Sequence, residues 1–319
     1  MKKDGCLVTK DLQQKQKLMG ISAALISALM FGITPAIAKM AYAGGSNGMT
    51  MTFTRAIMSL PFLFLIAKYK KISLTLTRRE LLTVVLVSVL GNFSTTLMLY
   101  SSFSYLNVGM ASVLHYFFPV FVVLVSVIFF KEDLKWWKLL ALVLGFAGVI
   151  TFMGNASGGS MIGVLLAVGS AITYAGMLIS VERTVLSTFH CVKLTFYTNL
   201  IVSLTSFGVG QASGTLNLIL TPAAWFYSLL VSLMVGVIGF SLLNYAIVKI
   251  GASSTSVISM AEPLSGVLFG YLILSETLTA MNWLGCILIL AGVALISIFS
   301  LRSSKNSRSV PGTKLDFLE

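Results

Sequence analysis

Ten apolar stretches, each long enough to cross a bilayer as a helix, follow one another with barely any polar chain between them. They cover roughly 19–41, 49–67, 81–104, 109–130, 137–153, 161–180, 194–210, 223–247, 252–274 and 281–300. A hydrocarbon core of ~30 Å needs ~17–25 residues of helix to span it. Backbone in lipid must also satisfy its own hydrogen bonds, which a helix does. The expected fold is therefore an all-α polytopic membrane protein with ten transmembrane helices. Composition agrees, because only 10% of the 319 residues are charged, against about a quarter in a soluble domain.

Charge sets the expected orientation. With the N-terminus inside, the inner segments hold 20 of the 22 Lys and Arg residues, and the outward loops "SYLNVG", "GNASGGS" and "QASGTLNLILTP" hold none. Lys39 and Arg55 are the two exceptions. Positive residues collect on the cytoplasmic side, so both termini are predicted to be cytoplasmic in a multi-pass plasma (inner) membrane protein. The same bias accounts for the net charge of +12 without any nucleic-acid partner, because the basic residues are spread over short loops and tails. Trp136, Trp137, Trp225 and Trp283 all fall at span ends, where the indole ring prefers the interface. Cys6, Cys191 and Cys286 are scattered, with no metal-ligand spacing, so neither a disulfide framework nor a metal is expected. No cleavage site follows the first apolar run, which is read as a retained helix.

The two halves repeat. Near an offset of 144, "FPVFVVLVSVIFFKEDL" (118–134) aligns with "EPLSGVLFGYLILSETL" (262–278), superposing Pro119 on Pro263, Glu132 on Glu276 and, further on, Gly148 on Gly292. Gly91, Leu97 and Tyr100 match Gly236, Leu242 and Tyr245 with the offset drifting by one residue. Five helices per half is an odd number, so the second copy must enter the membrane upside down. Inverted repeats are a recurring build of secondary transporters, with the substrate site near the midplane between the copies. The chain divides into an N-terminal cytoplasmic tail (1–17), a first five-helix repeat (18–154), a second, inverted one (155–301) and a C-terminal cytoplasmic tail (302–319).

These repeats, each ending in Pro, an apolar run, Glu-Leu, a short polar turn and a Gly-rich helix, resemble the drug/metabolite transporter superfamily of EamA type. The pieces that carry the resemblance are "AEPLSGVLFGYLILSETLTAMNWLGCILILAGVALI" (261–296) and its copy "FFPVFVVLVSVIFFKEDLKWWKLLALVLGFAGVI" (117–150). Arg55 in "TFTRAIMSLPF" matches an arginine common in the second helix of such repeats. The resemblance covers roughly residues 18–300 and implies export of an amino acid or related metabolite. The first repeat departs from the pattern, because Phe118 stands where the second has Glu262.

Candidate residues follow from the cost of polarity in lipid. An ionised carboxylate at bilayer centre costs at least ~2.5 kcal/mol, so Glu262 must face a cavity, pair with a cation or stay protonated. A cavity-facing carboxyl can bind and release a proton and couple that to substrate movement; a structural hydrogen bond to a neighbouring helix is the alternative. Pro263 removes the partner of the Ser259 carbonyl, and Pro119 does the same to His115; either a packing kink or a polar lining explains them. His115 can titrate or hydrogen-bond a substrate. Tyr116, Tyr100, Tyr174 and Tyr245 offer phenols at various depths, and Asn92 and Asn244 are cavity-liners or interhelical glue. Arg55 can pair with Glu262, contact a substrate anion or snorkel outward. Glu132 and Glu276 precede the next helix and are read as structural, at the positive end of its dipole. "GVLFG" (Gly266, Gly270) and "GFAG" (Gly145, Gly148) are close-approach patches.

The function expected from these residues is a secondary transporter of a small metabolite, working by alternating access as a chain that can act as a monomer, with no cofactor. Proton antiport and simple facilitation both fit, and a multidrug or other-metabolite carrier of the same fold is the alternative. An intramembrane enzyme fits less well. Asp occurs only at positions 4, 11, 133 and 316, outside the spans, so paired aspartates are lacking. No Walker motif is present to energise transport from within the chain.

Overall fold

Short polar signals start the helices. Asn47 accepts from the Thr50 amide to cap α2 (Gly48–Tyr69), as expected where the first helical N–H groups lack partners. Thr77 and Glu80 form a reciprocal capping box at α3 (Arg78–Leu86). Ser160 caps α8 (Met161–Arg183), His190 caps α9 (Cys191–Ala212), and Thr221 with Pro222 opens α10 (Pro222–Val231). The computed structural model describes residues 2–102, 105–106, 108–151, 160–265 and 280–306 and is helical, with no strand among them. The remaining elements are α1 (Lys2–Tyr42), α4 (Ser94–Ser102), α5 (Val108–His115), α6 (Phe118–Phe130), α7 (Trp136–Ile150), α11 (Phe240–Ile250), α12 (Ala252–Ser259) and α13 (Ala280–Asn306). Six helical segments among the described residues are long and apolar enough to cross a membrane, and two shorter apolar helices lie at Trp136–Ile150 and Trp283–Phe299.

Two of the expected spans are not plain α-helix. Val87–Phe93 joins α3 to α4 as π-helix, and Ser232–Gly239 joins α10 to α11 in the same way. These segments are repeat equivalents, and neither was foreseen from the sequence. A π turn leaves carbonyls off the regular ladder, and neighbouring side chains take them up. The Ser27 hydroxyl donates to the Gly239 carbonyl at 2.9 Å. The buried Asn199 amide donates to the Gly236 carbonyl and to Ser59 Oγ, both at 2.8 Å. In the first repeat the Ser94 hydroxyl donates to the Val89 carbonyl at 2.8 Å.

The prolines do more than kink. Helix α5 stops at His115, Tyr116 and Phe117 form a turn, and α6 restarts with Pro119 in its first positions. There a proline costs nothing, because its missing N–H would have had no partner. Helix α12 stops at Ser259, Met260 and Ala261 turn, and helix resumes over 262–265 with Pro263 second. The turns match bond for bond: the Phe117 amide reaches the Leu114 carbonyl at 3.3 Å and the Ala261 amide reaches Ile258 at 3.0 Å. Next, Val120 N–H donates to Phe117 at 2.9 Å and Leu264 N–H to Ala261 at 3.1 Å. The spans expected over 109–130 and 252–274 are thus each interrupted by a turn just before the proline, at the same point of the repeat.

Pairing of α7 with α13 shows how the halves relate. A Cβ on Gly148 would lie 2.7 Å from Ile289 Cγ1 and 2.8 Å from the Gly285 carbonyl oxygen. One on Gly292 would lie 2.8 Å from the Ala141 oxygen and 3.4 Å from the Gly145 nitrogen. Shifting either set by 144 residues produces the other, which is the signature of a two-fold swap. Higher numbers on α7 face lower numbers on α13, so these equivalent helices run antiparallel. Glycine is needed at both crossings, because the opposing atoms are backbone and cannot rotate away.

Candidate functional site

The two helix breaks meet. Tyr116, in the turn of the first, hydrogen-bonds the Glu262 carboxyl, which starts the helix after the second. Helix α1 closes one side: a Cβ on Gly32 would overlap Ser265 Oγ and the Glu262 carbonyl, so only glycine lets α1 lie against this break. Ser265 in turn donates to the Glu262 carbonyl at 2.8 Å, tying the restarted helix to its own first residue. Gly32 and Ser265 carried no sequence signal beyond being small.

Aromatic rings wall the carboxyl. Tyr174, from α8, stands edge-on to Phe118 with centroids 4.7 Å apart and lies 5.6 Å from the His115 ring. His115 also contacts Phe118 at 5.6 Å and Tyr116 at 6.0 Å between centroids. Its Nδ1 sits 2.9 Å from Ser170 Oγ, and that hydroxyl donates to the Ala167 carbonyl at 2.6 Å. Ser170 has therefore spent its proton, so Nδ1–H of His115 is the donor between them. Phe118, which replaces the acid in the first repeat, is fully buried in this wall. Glu262, His115 and Tyr174 remain partly accessible.

Arg55 faces the same region from α2. Both its charge and that of Glu262 act on Tyr174, and its guanidinium carbon lies 5.3 Å from the Phe240 ring centroid. The arrangement thus offers an acid, a cation, phenols and an imidazole around aromatic faces. Such a set can hold a small solute that carries both charges and an apolar part.

Other sequence candidates go elsewhere. Asn244 is buried, and its amide donates to Thr195 Oγ1 at 3.1 Å. With Tyr245 it lines a different cavity, at the start of α9. Asn92 is buried in the first π segment, and its amide nitrogen has no hydrogen-bond partner among the described residues. Ser259 Oγ donates back to the Thr255 carbonyl at 3.0 Å, a local helix bond. The Tyr100 side chain, Glu276, Gly266 and Gly270 lie outside the described residues.

Glu132 has partners that its place before α7 did not reveal. It makes no cap bond to α7, whose N-cap is Lys135 with no side-chain bond. Instead its carboxylate meets Arg183 at 2.6 Å, Lys138 at 3.3 Å and the Ser253 hydroxyl at 3.0 Å. Glu182, which the sequence did not single out, accepts the Ala252 amide at 2.9 Å and lies 3.4 Å from Arg183. These bonds clamp the ends of α6, α7, α8 and α12, and so join the first repeat to the second. Burial by itself would raise the Glu132 carboxyl, but Lys138, Ser253 and Arg183 outweigh it and hold it below the usual carboxylate value. A depressed carboxyl contributes stability that is complete above the unfolded value and lost as pH falls through the folded one. Glu132→Gln is accordingly expected to cost about 1–2 kcal/mol at neutral pH, from several partly exposed pairs of up to ~1 kcal/mol each. The deficit should begin to shrink as pH falls below the unfolded carboxyl value of ~4.3 and disappear only once the depressed, folded carboxyl has protonated as well. Unfolding midpoints of both proteins across pH test this, and a gap constant down to acid pH refutes it.

Comparison with known proteins follows the same lines. The profile of the EamA-like transporter family matches residues 18–154 and again 161–298. The chain is 30% identical to "Uncharacterized transporter YvbV" of Bacillus subtilis, over 61% of this chain and 64% of that one. It is 24% identical to "Uncharacterized transporter sll1164" of Synechocystis, over 76% of this chain and 75% of that one. A crystal structure superposes with TM-score 0.74 at 18% identity, covering 89% of this chain and 99% of the other, a likeness that shows the fold. Family and relatives point to a transporter rather than an enzyme. With one family profile matching both halves, the chain belongs to the EamA-like transporter family and is a multi-pass membrane transporter.

Proposed function

We propose that this transporter exports a small metabolite, an amino acid or a close relative, across the plasma membrane by alternating access, with Glu262 as a proton site. The observation that carries the reading is the meeting of two broken helices from antiparallel repeats at the Tyr116–Glu262 bond. Broken helices at membrane depth are where transporters of inverted-repeat build place substrate and coupling ion. Arg55 suits a substrate carboxylate, Glu262 a substrate ammonium or a proton, and the Phe118–Tyr174 faces an apolar side chain.

Ten spans follow if each interrupted helix crosses once: α3 with α4, α5 with α6, α10 with α11, and α12 with the helix restarting at Glu262. Loop placement supports cytoplasmic termini. The uncharged loops 43–47 and 213–221 bind one another, through Asn217 Nδ2 to the Gly45 carbonyl at 2.7 Å and Thr221 N–H to the Gly44 carbonyl at 3.0 Å. The Lys-bearing segment 70–77 instead meets the start of α9, where Lys193 Nζ donates to the Thr75 carbonyl at 2.7 Å. Uncharged loops thus pair with each other and a Lys-bearing segment with another, in keeping with the positive-inside rule. The Glu132–Arg183 clamp lies at the cytoplasmic end in this topology and acts there as a gate between the repeats. One chain supplies every element of the path, in keeping with a monomer.

Counterflow in proteoliposomes tests the reading. Vesicles preloaded with one unlabelled amino acid should accumulate the same labelled amino acid transiently, above protein-free vesicles. Rates no higher than protein-free vesicles across zwitterionic amino acids, in protein shown to be folded, would overturn the substrate class. Counterflow with nucleosides or cationic drugs instead would redirect it.

A further inference from the structure

A groove of ≈ 250 Å³ runs between α8 and the span made of α3, the first π segment and α4. Leu86, Leu90 and Gly91 line one wall, Thr173, Gly176 and Ser180 the other, and no charged side chain lines it. Both bounding segments are long and apolar enough to cross a membrane. Leu86 and Leu90 are 57% and 62% exposed, so in a bilayer the groove opens toward lipid. It shares no residue with the Glu262 wall or the Glu132 clamp.

The fold does not impose this gap. The register that sets Gly20 on Gly163 and Ser27 on Ser170 places Met30 on Thr173, Ile33 on Gly176 and Ile37 on Ser180. At each of these positions α8 carries the smaller side chain. Ile33 is buried, whereas Gly176 is exposed and a Cβ built on it meets no atom within 4 Å. Across the groove, the register that pairs Gly91 with Gly236 matches Leu86 with Val231 and Leu90 with Val235, and both valines are fully buried. One repeat closes a surface that the other leaves hollow. Nor does the groove call for a polar guest. The Thr173 hydroxyl donates to the Ser170 carbonyl at 3.0 Å and lies 2.8 Å from Thr95 Oγ1.

An unfilled gap forfeits the dispersion contacts of the atoms that line it. Within a bilayer, close packing rather than exclusion of water holds apolar surfaces together. A flexible hydrocarbon chain restores those contacts. Its charged end also has a place to go. Arg79, Leu82, Leu86 and Leu90 follow one another at steps of three and four residues, so they share a face, and all four are exposed. From Leu86 to Arg79 is two turns, about 10 Å along the helix axis. That face leads from the groove to a cation at the end of the span. We propose that the groove binds an anionic phospholipid, with one acyl chain lying against Gly176 and the phosphate beside Arg79.

Native mass spectrometry of the full chain, released from detergent and titrated separately with phosphatidylglycerol and phosphatidylcholine, tests the site. One phosphatidylglycerol should bind per chain, in preference to phosphatidylcholine. Gly176→Leu fills the groove and should weaken that binding about tenfold, through the packing contacts the chain loses. Gly208, on α9, also meets nothing within 4 Å, so Gly208→Leu adds the same bulk elsewhere and should leave binding unchanged. Arg79→Gln should remove the preference for phosphatidylglycerol while phosphatidylcholine binding persists. Thermal midpoints show whether each variant is folded. Should Gly176→Leu not fold, Gly176→Ala adds a carbon that touches nothing and should shift binding the same way, by about twofold. Binding of no lipid, equal binding of the two lipids, or phosphatidylglycerol binding unmoved by the Gly176 substitutions overturns the proposal.

Discussion

Glu262→Gln is expected to abolish solute accumulation driven by a pH gradient while leaving counterflow at equal pH within about twofold of wild type. Glutamine keeps the size of the side chain and an acceptor oxygen for the Tyr116 hydroxyl, so the junction of the two broken helices should survive. What it loses is the exchangeable proton. An ionised carboxylate in the bilayer interior costs at least ~2.5 kcal/mol, so a Glu262 that releases its proton must do so where water or a cation meets it. Alternating access supplies that meeting on each side in turn. The measurement is labelled-solute uptake into proteoliposomes under an imposed gradient, beside counterflow in the same vesicles. Unchanged gradient-driven uptake in the glutamine variant defeats the proton role. Loss of counterflow as well would instead make Glu262 a substrate ligand.

A second large effect is expected where the repeats touch. Gly148→Ala and Gly292→Ala each place a Cβ 2.8 Å from a backbone oxygen of the opposing helix. Backbone cannot rotate aside, so α7 and α13 must separate along their whole crossing. Overpacking of this kind costs about 1–3 kcal/mol or more, which exceeds the ~1 kcal/mol that alanine gains over glycine in a helix. Symmetry predicts similar losses at the two positions. Gly145→Ala should be milder, since its Cβ meets the Met260 sulfur at 2.7 Å and a methionine side chain can move. Gly208→Ala meets nothing within 4 Å and should be neutral or slightly stabilising. Thermal midpoints of the four variants, read by intrinsic fluorescence in one detergent, decide the matter. If Gly292→Ala melts with Gly208→Ala, the crossing is not as tight as drawn.

Some of the candidate site was legible in the chain. Glu262 stood out because a carboxylate in an apolar run is expensive, and Pro119 and Pro263 because proline cannot continue a hydrogen-bond ladder. His115, Tyr116 and Tyr174 were candidates by polarity alone, and the structure brings all three to Glu262's surroundings. By the same criterion Asn244 and Tyr245 looked equally good, yet they line another cavity. Polarity marks which residues need partners but does not say which partners they find. Glu132 shows the same gap. A helix start a few residues on was visible in the sequence, whereas Arg183 and Ser253, 51 and 121 residues distant, were not. The π segments left no local mark, because their loosened carbonyls are tolerable only once Ser27 and Asn199 arrive from other helices.

What the sequence determined by itself was a helical membrane chain of two related halves, with its basic residues biased toward one side. Those properties are sums over local residues: apolar length, charge count and similarity at a fixed offset, each readable without knowing any contact. Tertiary structure decided that the prolines begin new helices rather than bend old ones, that the two breaks meet through Tyr116 and Glu262, and that Gly148 and Gly292 lie against backbone. The last two depend on groups more than a hundred residues apart reaching within a few ångströms of one another, and such a pairing has no energy until the helices have packed.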